Sequence, residues 1–465
     1  MVYTIHNITN RTSHKNDGSL WKQLLLSVTA SLPFFTHGIL TNTLTVSVHS
    51  GHFAITPADV PTSTPAMILA AAVSGPLYCY TIDKYGRKFG IYIINLVQAA
   101  SCIPLFLVIA PNDTSTICLH VLAGISSAGI FTVLPVYVRE ITSDKYRGLT
   151  MSLEMIMITT GYLMKLAAGL ETMVYLIVAM ATLQLLSMYF LLESPCYLIM
   201  AHKWEAASSR VARIKCLPED NPSVVEVLEQ LRNESDRATA HGRLYLHRIL
   251  KNPIWRDVMK IGAVLGTVMT LCGSVVFLDQ TKTLMQLRSD PDPDHTLVMY
   301  SLFAGSAICF LSVHFLERKY LLASSLTVMV LSMGVLAVFT QMDLTVTEHR
   351  WLPVAALAVL VAGYGAAWGL PAMITIEMLN LEIRATVAGA VFTYTQLVKL
   401  SHLLCHQYIE DYVGVYTMLY IFAFVNLYGA VFAFFRLPDV NNKSIRQIER
   451  QLKRVPLLEF KSQIN

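Results

Sequence analysis

The residues best placed to do chemistry are ionisable groups at the ends of apolar runs. The stretch PVYVREITSDKYRG, residues 135–148, carries Glu140 and Arg147 seven positions apart after Pro135. The same spacing recurs in PAMITIEMLNLEIRATVAGA, with Glu377 and Arg384 after Pro371. TIDKYGRK (81–88) supplies Asp83 and Arg87, FLERK (315–319) is its weaker echo, and Glu193 opens a further polar corner. Carboxylates and guanidiniums in such places can make ion pairs that hold one conformation and break to release another, which is the chemistry of a gate. Lys and Arg alone would suffice to set topology, so the carboxylates call for a second role. For catalysis the sequence offers no phosphate-binding glycine loop, no nucleophile elbow and no metal-ligand cluster. An enzyme is not expected, and neither a cofactor nor a metal.

A second set of polar residues lies inside the apolar runs: His37, Glu154, Lys165, Tyr364, Gln396 and Lys399. Ionisable groups at membrane depth are costly and face a cavity or pair with one another. Lys399, near the middle of its run and on the same helix face as Gln396, reads as cavity-facing. His37 reads as a core histidine, and Glu154 and Lys165 lie nearer the ends of their run, within reach of the interface.

The elements that must position these groups follow from composition. The 465-residue chain is 54% hydrophobic and 14% charged, far more apolar than a soluble protein. Crossing about 30 Å of hydrocarbon takes about 20 apolar residues. Twelve such runs are present, at 22–42, 64–82, 89–110, 116–138, 149–170, 172–192, 258–278, 295–316, 320–341, 351–376, 385–406 and 413–435. The chain is therefore expected to be an all-α membrane protein. Its parts would be an N-terminal tail (1–21), a six-helix half (22–192), a helical loop (193–257), a second six-helix half (258–436) and a C-terminal tail (437–465). Residues 1–21 are polar and contain no cleavable leader, which suggests a cytosolic start. Loops then placed outside carry only Lys282, Arg288 and Arg350, whereas 193–257 alone carries ten Lys or Arg. Both termini are thus expected in the cytosol. The net charge of +4 records this topology and gives no reason to expect nucleic acid as a partner. The eight cysteines are scattered, mostly inside runs, as small buried hydrophobes. In the loop, WEAASSRVARI, SVVEVLEQL and RLYLHRIL show helical apolar spacing and are expected to pack on the bundle.

The two corners with Glu and Arg seven apart, together with TIDKYGRK and FLERK, form a parallel internal repeat of the kind found in one transporter architecture. On these residues the chain resembles the sugar porters of the major facilitator superfamily, most closely the insect facilitated trehalose transporters. The resemblance rests on GPLYCYTIDKYGRK, PVYVREITSDKYRG, ESPCYLIMAHKWEAA, GLPAMITIEMLNLEIR, the ERK triplet and the tail LPDVNNKSIRQIE, in order at the span boundaries. It implies twelve helices in two halves, alternating access, a plasma-membrane location and a sugar or polyol as solute. It also implies a latch between the halves made by Asp83, Arg87, Glu140, Arg147, Glu193, Glu377 and Arg384.

At the expected sugar contacts the sequence departs from that pattern. Where the family carries a Gln in span five, this chain has Met155. The polar positions of span seven fall on Met269, Thr270 and Val275, the Trp of span ten on Ala372, and the Arg of span four on His120. With His37, Tyr364, Gln396 and Lys399 these positions form the candidate cavity. Hydroxyls left unpaired in a dry cavity cost about 1–3 kcal/mol each, so the ordinary sugar site is expected to be altered. Span one carries no Asp or Glu, and the resemblance then implies facilitated, uncoupled transport. The alternatives are a transport-deficient nutrient receptor acting through loop and tail, and a carrier of a non-sugar solute, which Lys399 would favour if anionic.

Overall fold

In lipid every backbone N–H and C=O must be satisfied within the segment, and helices do this without a neighbour. The computed structural model describes residues 18–49, 63–107, 113–167, 169–239, 251–274, 293–341, 351–441, 443 and 445–454, and among these no strand occurs. Six long helices come first: α1 (Leu20–His49), α2 (Ser63–Tyr85), α3 (Arg87–Leu107), α4 (Asp113–Ile141), α5 (Arg147–Ala167) and α6 (Leu170–Ser187). Three short ones follow, α7 (Pro195–Met200), α8 (Trp204–Lys215) and α9 (Pro222–Thr239). The remaining spans are built from α10 (Pro253–Thr270), α11 (Pro293–Ser312), α12 (Arg318–Gln341), α13 (Trp351–Ala367), α14 (Leu370–Met378), α15 (Arg384–Val413) and α16 (Val415–Arg436), and the tail forms α17 (Ile445–Arg454). Seven of the described spans are long and apolar enough to cross a membrane by length and composition, one of them formed by α13 and α14 together, and two shorter apolar helices accompany them.

Every one of the twelve expected runs holds helix, with three main adjustments, and in the seventh, expected over 258–278, the helix α10 stops at Thr270 inside the run. The tenth is broken into α13 and α14 at Trp368 and Gly369, because Pro371 has no N–H to donate and sits where a new helix begins. The sixth ends at Ser187, five residues short of the expected boundary. In the connecting segment α8 and α9 form over WEAASSRVARI and SVVEVLEQL, while RLYLHRIL lies outside the described residues. The sequence reading missed α7, although its start is well signalled: Ser194 accepts from the Tyr197 N–H and Pro195 takes the first turn.

Two contacts dominate the seam between the first six spans and the last six, and α4 adds smaller ones against α14 and α15. Helix α2 packs on α15, and α5 packs on α11. At the α2–α15 crossing a Cβ on Gly389 would stand 2.5 Å from Cys79 Sγ, and one on Gly75 would stand 3.1 Å from Phe392. Thr393 Oγ1 donates to the Ala72 carbonyl at 3.1 Å across the same crossing. At the α5–α11 contact the hydroxyls of Thr159 and Ser306 are 2.8 Å apart. Small residues at both places let backbones approach where no hydrophobic drive separates helix from lipid.

Gly389→Ala should therefore cost about 1–3 kcal/mol by overpacking. Thermal unfolding of purified protein should show a lower Tm, and combining it with Cys79→Ala, which removes the opposing sulfur, should return most of the loss.

Candidate functional site

The residues expected to form the latch gather at one end of the bundle, where α2 meets α3, α4 meets α5 and α14 meets α15. Their centre is Glu140, in the last turn of α4, with a side chain fully shielded from solvent. One carboxylate oxygen accepts from Arg87 Nε at 3.0 Å and from the Ser194 hydroxyl. The other accepts from Arg384 Nη1 at 2.9 Å and from Arg87 Nη2 at 3.3 Å. Glu140 thus joins α3 of the first six spans to α15 of the last six. Both guanidiniums also cap carbonyls five residues back in sequence: Arg87 donates to Ile82 O at 3.1 Å and Arg384 to Leu379 O at 3.3 Å. The Leu379 carbonyl lies just past the end of α14, whereas the Ile82 carbonyl in the last turn of α2 also accepts the Gly86 N–H at 3.2 Å.

Asp83 adds a second carboxylate 3.5 Å from Arg87. Among the described residues Glu193 pairs with no side chain; its Oε1 accepts the backbone N–H groups of Arg87 at 2.9 Å, Lys88 at 3.2 Å and Ser194 at 2.9 Å, an anion seated at the start of α3. Burial pushes the Glu193 carboxyl above the usual carboxylate range, against the pull of those N–H groups. Gly86, with φ of 105°, makes this corner possible, since a Cβ there would stand 2.4 Å from the Glu193 carboxylate.

Two of the expected latch residues pair elsewhere. Glu377 bonds to Arg318, at the start of α12, and not to Arg384. Arg147 bonds to Asp144 within its own corner. Glu377 reaches Arg147 electrostatically without a hydrogen bond. The internal repeat explains the pattern. Arg318–Glu377 is the second-half counterpart of Arg87–Glu140, and Arg147–Glu377 would be the counterpart of Arg384–Glu140. The last pairing is diverted by Asp144, for which the second corner has Leu381. Arg318 was legible through the echo of TIDKYGRK in FLERK; Asp144 was overlooked because it lies beside the seven-residue spacing.

The candidate cavity positions are more dispersed. Met155 is buried and abuts Gly369, where an added Cβ would stand 2.4 Å from its side chain. The Thr270 hydroxyl is spent on the Gly266 carbonyl at 2.8 Å. Met269 is partly buried against the core, Ala372 is exposed, Gln396 is half-buried and Lys399 is exposed. Val275 lies outside the described residues. His37 is buried, is electrostatically coupled to Lys399, and meets Phe131 edge-on at 6.3 Å. His120 Nδ1 donates to the Thr116 carbonyl, 2.8 Å away, within its own helix.

The sequence reading missed an aromatic group that the fold assembles between the halves. Trp368, at the break between α13 and α14, stacks on Tyr364 at 5.9 Å and on Tyr162 of α5 at 6.5 Å. It also meets Phe131 of α4 at 6.2 Å, and Phe131 in turn stacks on Phe392 of α15 at 6.5 Å. Trp368 stands one helical turn before Ala372, so the large ring of span ten is displaced, not absent. An aromatic face of this kind packs against the C–H face of a saturated ring.

The sugar (and other) transporter family model matches residues 41–452. The chain belongs to that family. Among its relatives, this transporter is 24% identical over 457 residues to the facilitated trehalose transporter Tret1 of Bombyx mori, covering 93% of this chain and 87% of that one. It is 22% identical over 401 residues to the glucose transporter GlcP of Staphylococcus epidermidis, covering 83% and 86%. In structure it resembles the proton:xylose symporter XylE bound to 6-bromo-6-deoxy-D-glucose, with a TM-score of 0.77, 15% identity and coverage of 93% and 98%. Against the inward-open form of XylE from E. coli the TM-score is 0.65, with 16% identity and coverage of 92% and 99%. The fold is that of the major facilitator superfamily, twelve membrane helices in two halves, and the chain is a membrane transporter and not an enzyme.

The lone ion pair found between the halves among the described residues makes two opposite predictions. Arg384→Ala removes it and leaves a buried carboxylate short of one partner, at a cost of up to about 3–5 kcal/mol to the closed arrangement. Asp144→Leu releases Arg147 to pair with Glu377 and should strengthen closure. With a reporter cysteine in the central cavity, labelling from the latch end should rise in the first variant and fall in the second; equal labelling in both would reduce these charges to topology signals.

Proposed function

We propose that this transporter is a plasma-membrane uniporter that moves a sugar such as glucose or trehalose, or a related polyol, by alternating access. The halves 22–192 and 258–436 rock about the central cavity, and the 193–257 segment, both termini and the latch lie on the cytosolic side. The observation that carries this reading is Glu140 held at once by Arg87 and Arg384, a contact that must break whenever the latch end opens. The lower score against the inward-open form of XylE agrees with a closed latch. The names of the relatives favour a sugar, and α1 carries neither Asp nor Glu to couple a proton. Solute would rest against the Trp368 ring, bounded by Tyr364, Gln396, Lys399 and His37.

A second reading is a transport-deficient receptor for the same class of solute. It is favoured by Met155, Met269, Thr270 and Ala372, which offer no free polar group where sugar hydroxyls need partners. Uptake of labelled glucose and trehalose in oocytes separates the two. Saturable uptake supports the uniporter; a protein that reaches the surface and takes up neither supports the receptor.

Two changes should alter such uptake in opposite directions. Trp368→Ala removes the stacking face and should raise KM several-fold in a protein that still reaches the surface, a loss of about 0.5–1.5 kcal/mol. Met269→Gln, Thr270→Gln, Val275→Asn and Ala372→Trp together should increase uptake more than any one alone, each restored hydrogen bond contributing about 0.5–1.5 kcal/mol. An unchanged KM in the first, or a well-expressed but inert quadruple variant, would remove the cavity as placed here.

A further inference from the structure

The far part of α15 carries two histidines on one helix face, His402 and His406, in the stretch HLLCH. Their rings are buried, 8% and 5% exposed. The ring centres stand 5.5 Å apart, and both rings lie against Phe422 of α16, at 5.8 and 6.5 Å. Among the described residues no ring nitrogen of either histidine makes a hydrogen bond. The nearest polar group is Glu410, one turn further on, whose Oε2 lies 3.3 Å from His406 Nε2 at ion-pair distance. Buried polar atoms left so are costly unless something binds them. Helix α16 offers no help, since it holds no Asp, Glu, His or Lys, and the Asn426 amide nitrogen is spent on the Cys272 and Phe422 carbonyls.

Neutral imidazoles at positions i and i+4 of a helix are a metal-ligand spacing. With a metal–nitrogen bond of about 2.0–2.1 Å, an ion sits about 3.2 Å from each ring centre, and a tetrahedral angle between two such bonds puts the centres about 5.2 Å apart. The 5.5 Å seen here is within that reach without movement of the backbone. No group of three candidate ligands occurs among the described residues, so the two rings bind and water fills the remaining positions, as in an open site and not a closed structural one. Water is near: Glu410 is partly exposed, and Tyr408 and Tyr412 project from the same end of α15 as residues of an interfacial aromatic belt do. His402 stands about 27 Å along the helix axis from Arg384, far from the latch.

We propose that His402 and His406 form a site for a divalent transition-metal ion of the zinc class, with Glu410 orienting the His406 ring. Imidazole nitrogen suits zinc, copper and nickel, whereas magnesium and calcium require oxygen ligands. A carboxylate held against the second nitrogen of a ligating histidine fixes its ring and balances part of the ion's charge. The bound ion clamps two successive turns of α15 beside α16, at the end of the helix opposite Arg384. The assignment of this end to the outer face rests on the function proposed above; the binding itself does not.

The test uses the full chain in phosphatidylcholine nanodiscs, stripped of metal by a chelator and then titrated with zinc chloride while thermal unfolding is followed, with magnesium chloride at matched ionic strength as control. The wild type should be stabilised saturably by zinc and not by magnesium. His402→Gln and His406→Gln should each raise the zinc concentration that gives half the full shift at least tenfold, because a single imidazole holds the ion weakly. Glu410→Gln should raise it by a smaller factor. His406→Cys puts another zinc ligand at the same place and should keep the response that His406→Gln loses, which separates a lost ligand from a damaged fold. No zinc-specific stabilisation of the wild type, a response unchanged in both glutamine variants, or an equal loss in His406→Cys and His406→Gln overturns the proposal. Since no step measures transport, a failure here is distinct from a failure of the uniporter reading.

Discussion

The structure depends on one carboxylate that has given up water for two guanidiniums. Glu140 is shielded from solvent, and its desolvation is offset only while Arg87, Arg384 and Ser194 stay in place. Arg87 belongs to the same half and moves with Glu140. Arg384 belongs to the other half and does not. The closed state is therefore held by a contact whose alternative is hydration, not by one whose alternative is another buried partner. On the transport cycle proposed above, a solute then has to supply only the difference between this contact and its hydration.

The repeat accounts for where the ion pairs lie, and its imperfection accounts for how they work. Both halves fix an Arg after their second span to a Glu at the end of their fourth, Arg87 to Glu140 and Arg318 to Glu377. Two pairs across the halves would then be available by symmetry. Asp144 draws one Arg away and leaves a single crossing pair among the described residues. The tail reinforces the second half at the same end, with Asn380 donating to Glu449 at 2.8 Å and Arg318 to the Val440 carbonyl at 3.5 Å.

Much of this was legible in the sequence, because hydropathy and charge act over windows that survive changes in individual residues. The runs of apolar residues gave the helices, and the Glu-to-Arg spacing gave the corners. What could not be read was partner choice. Nothing local says that Arg147 turns to Asp144 three residues back when Glu377 also attracts it, since only the fold sets those distances. Trp368 was missed for a related reason: the aromatic position was sought at Ala372, and the break at Gly369 reorients the turn before it. His402 and His406 lay in plain view in HLLCH, but the cost of their unpartnered nitrogens exists only once burial is known.

The crossing of α2 and α15 at Gly75 and Gly389 has a mechanical meaning. Gly389 seats the Cys79 side chain, Gly75 seats Phe392, and a hydrogen bond from Thr393 to Ala72 spans the two helices, so under the rocking proposed above this is where the halves roll and do not slide. In a rolling motion atoms travel in proportion to their distance from the contact line. Small-residue crossings therefore act as the bearing, and the charged corners, set away from it at the end of the helices, sit at the far end of the lever arm. A turn of the halves too slight to disturb packing at the bearing is magnified there until it exceeds the short range of a hydrogen bond.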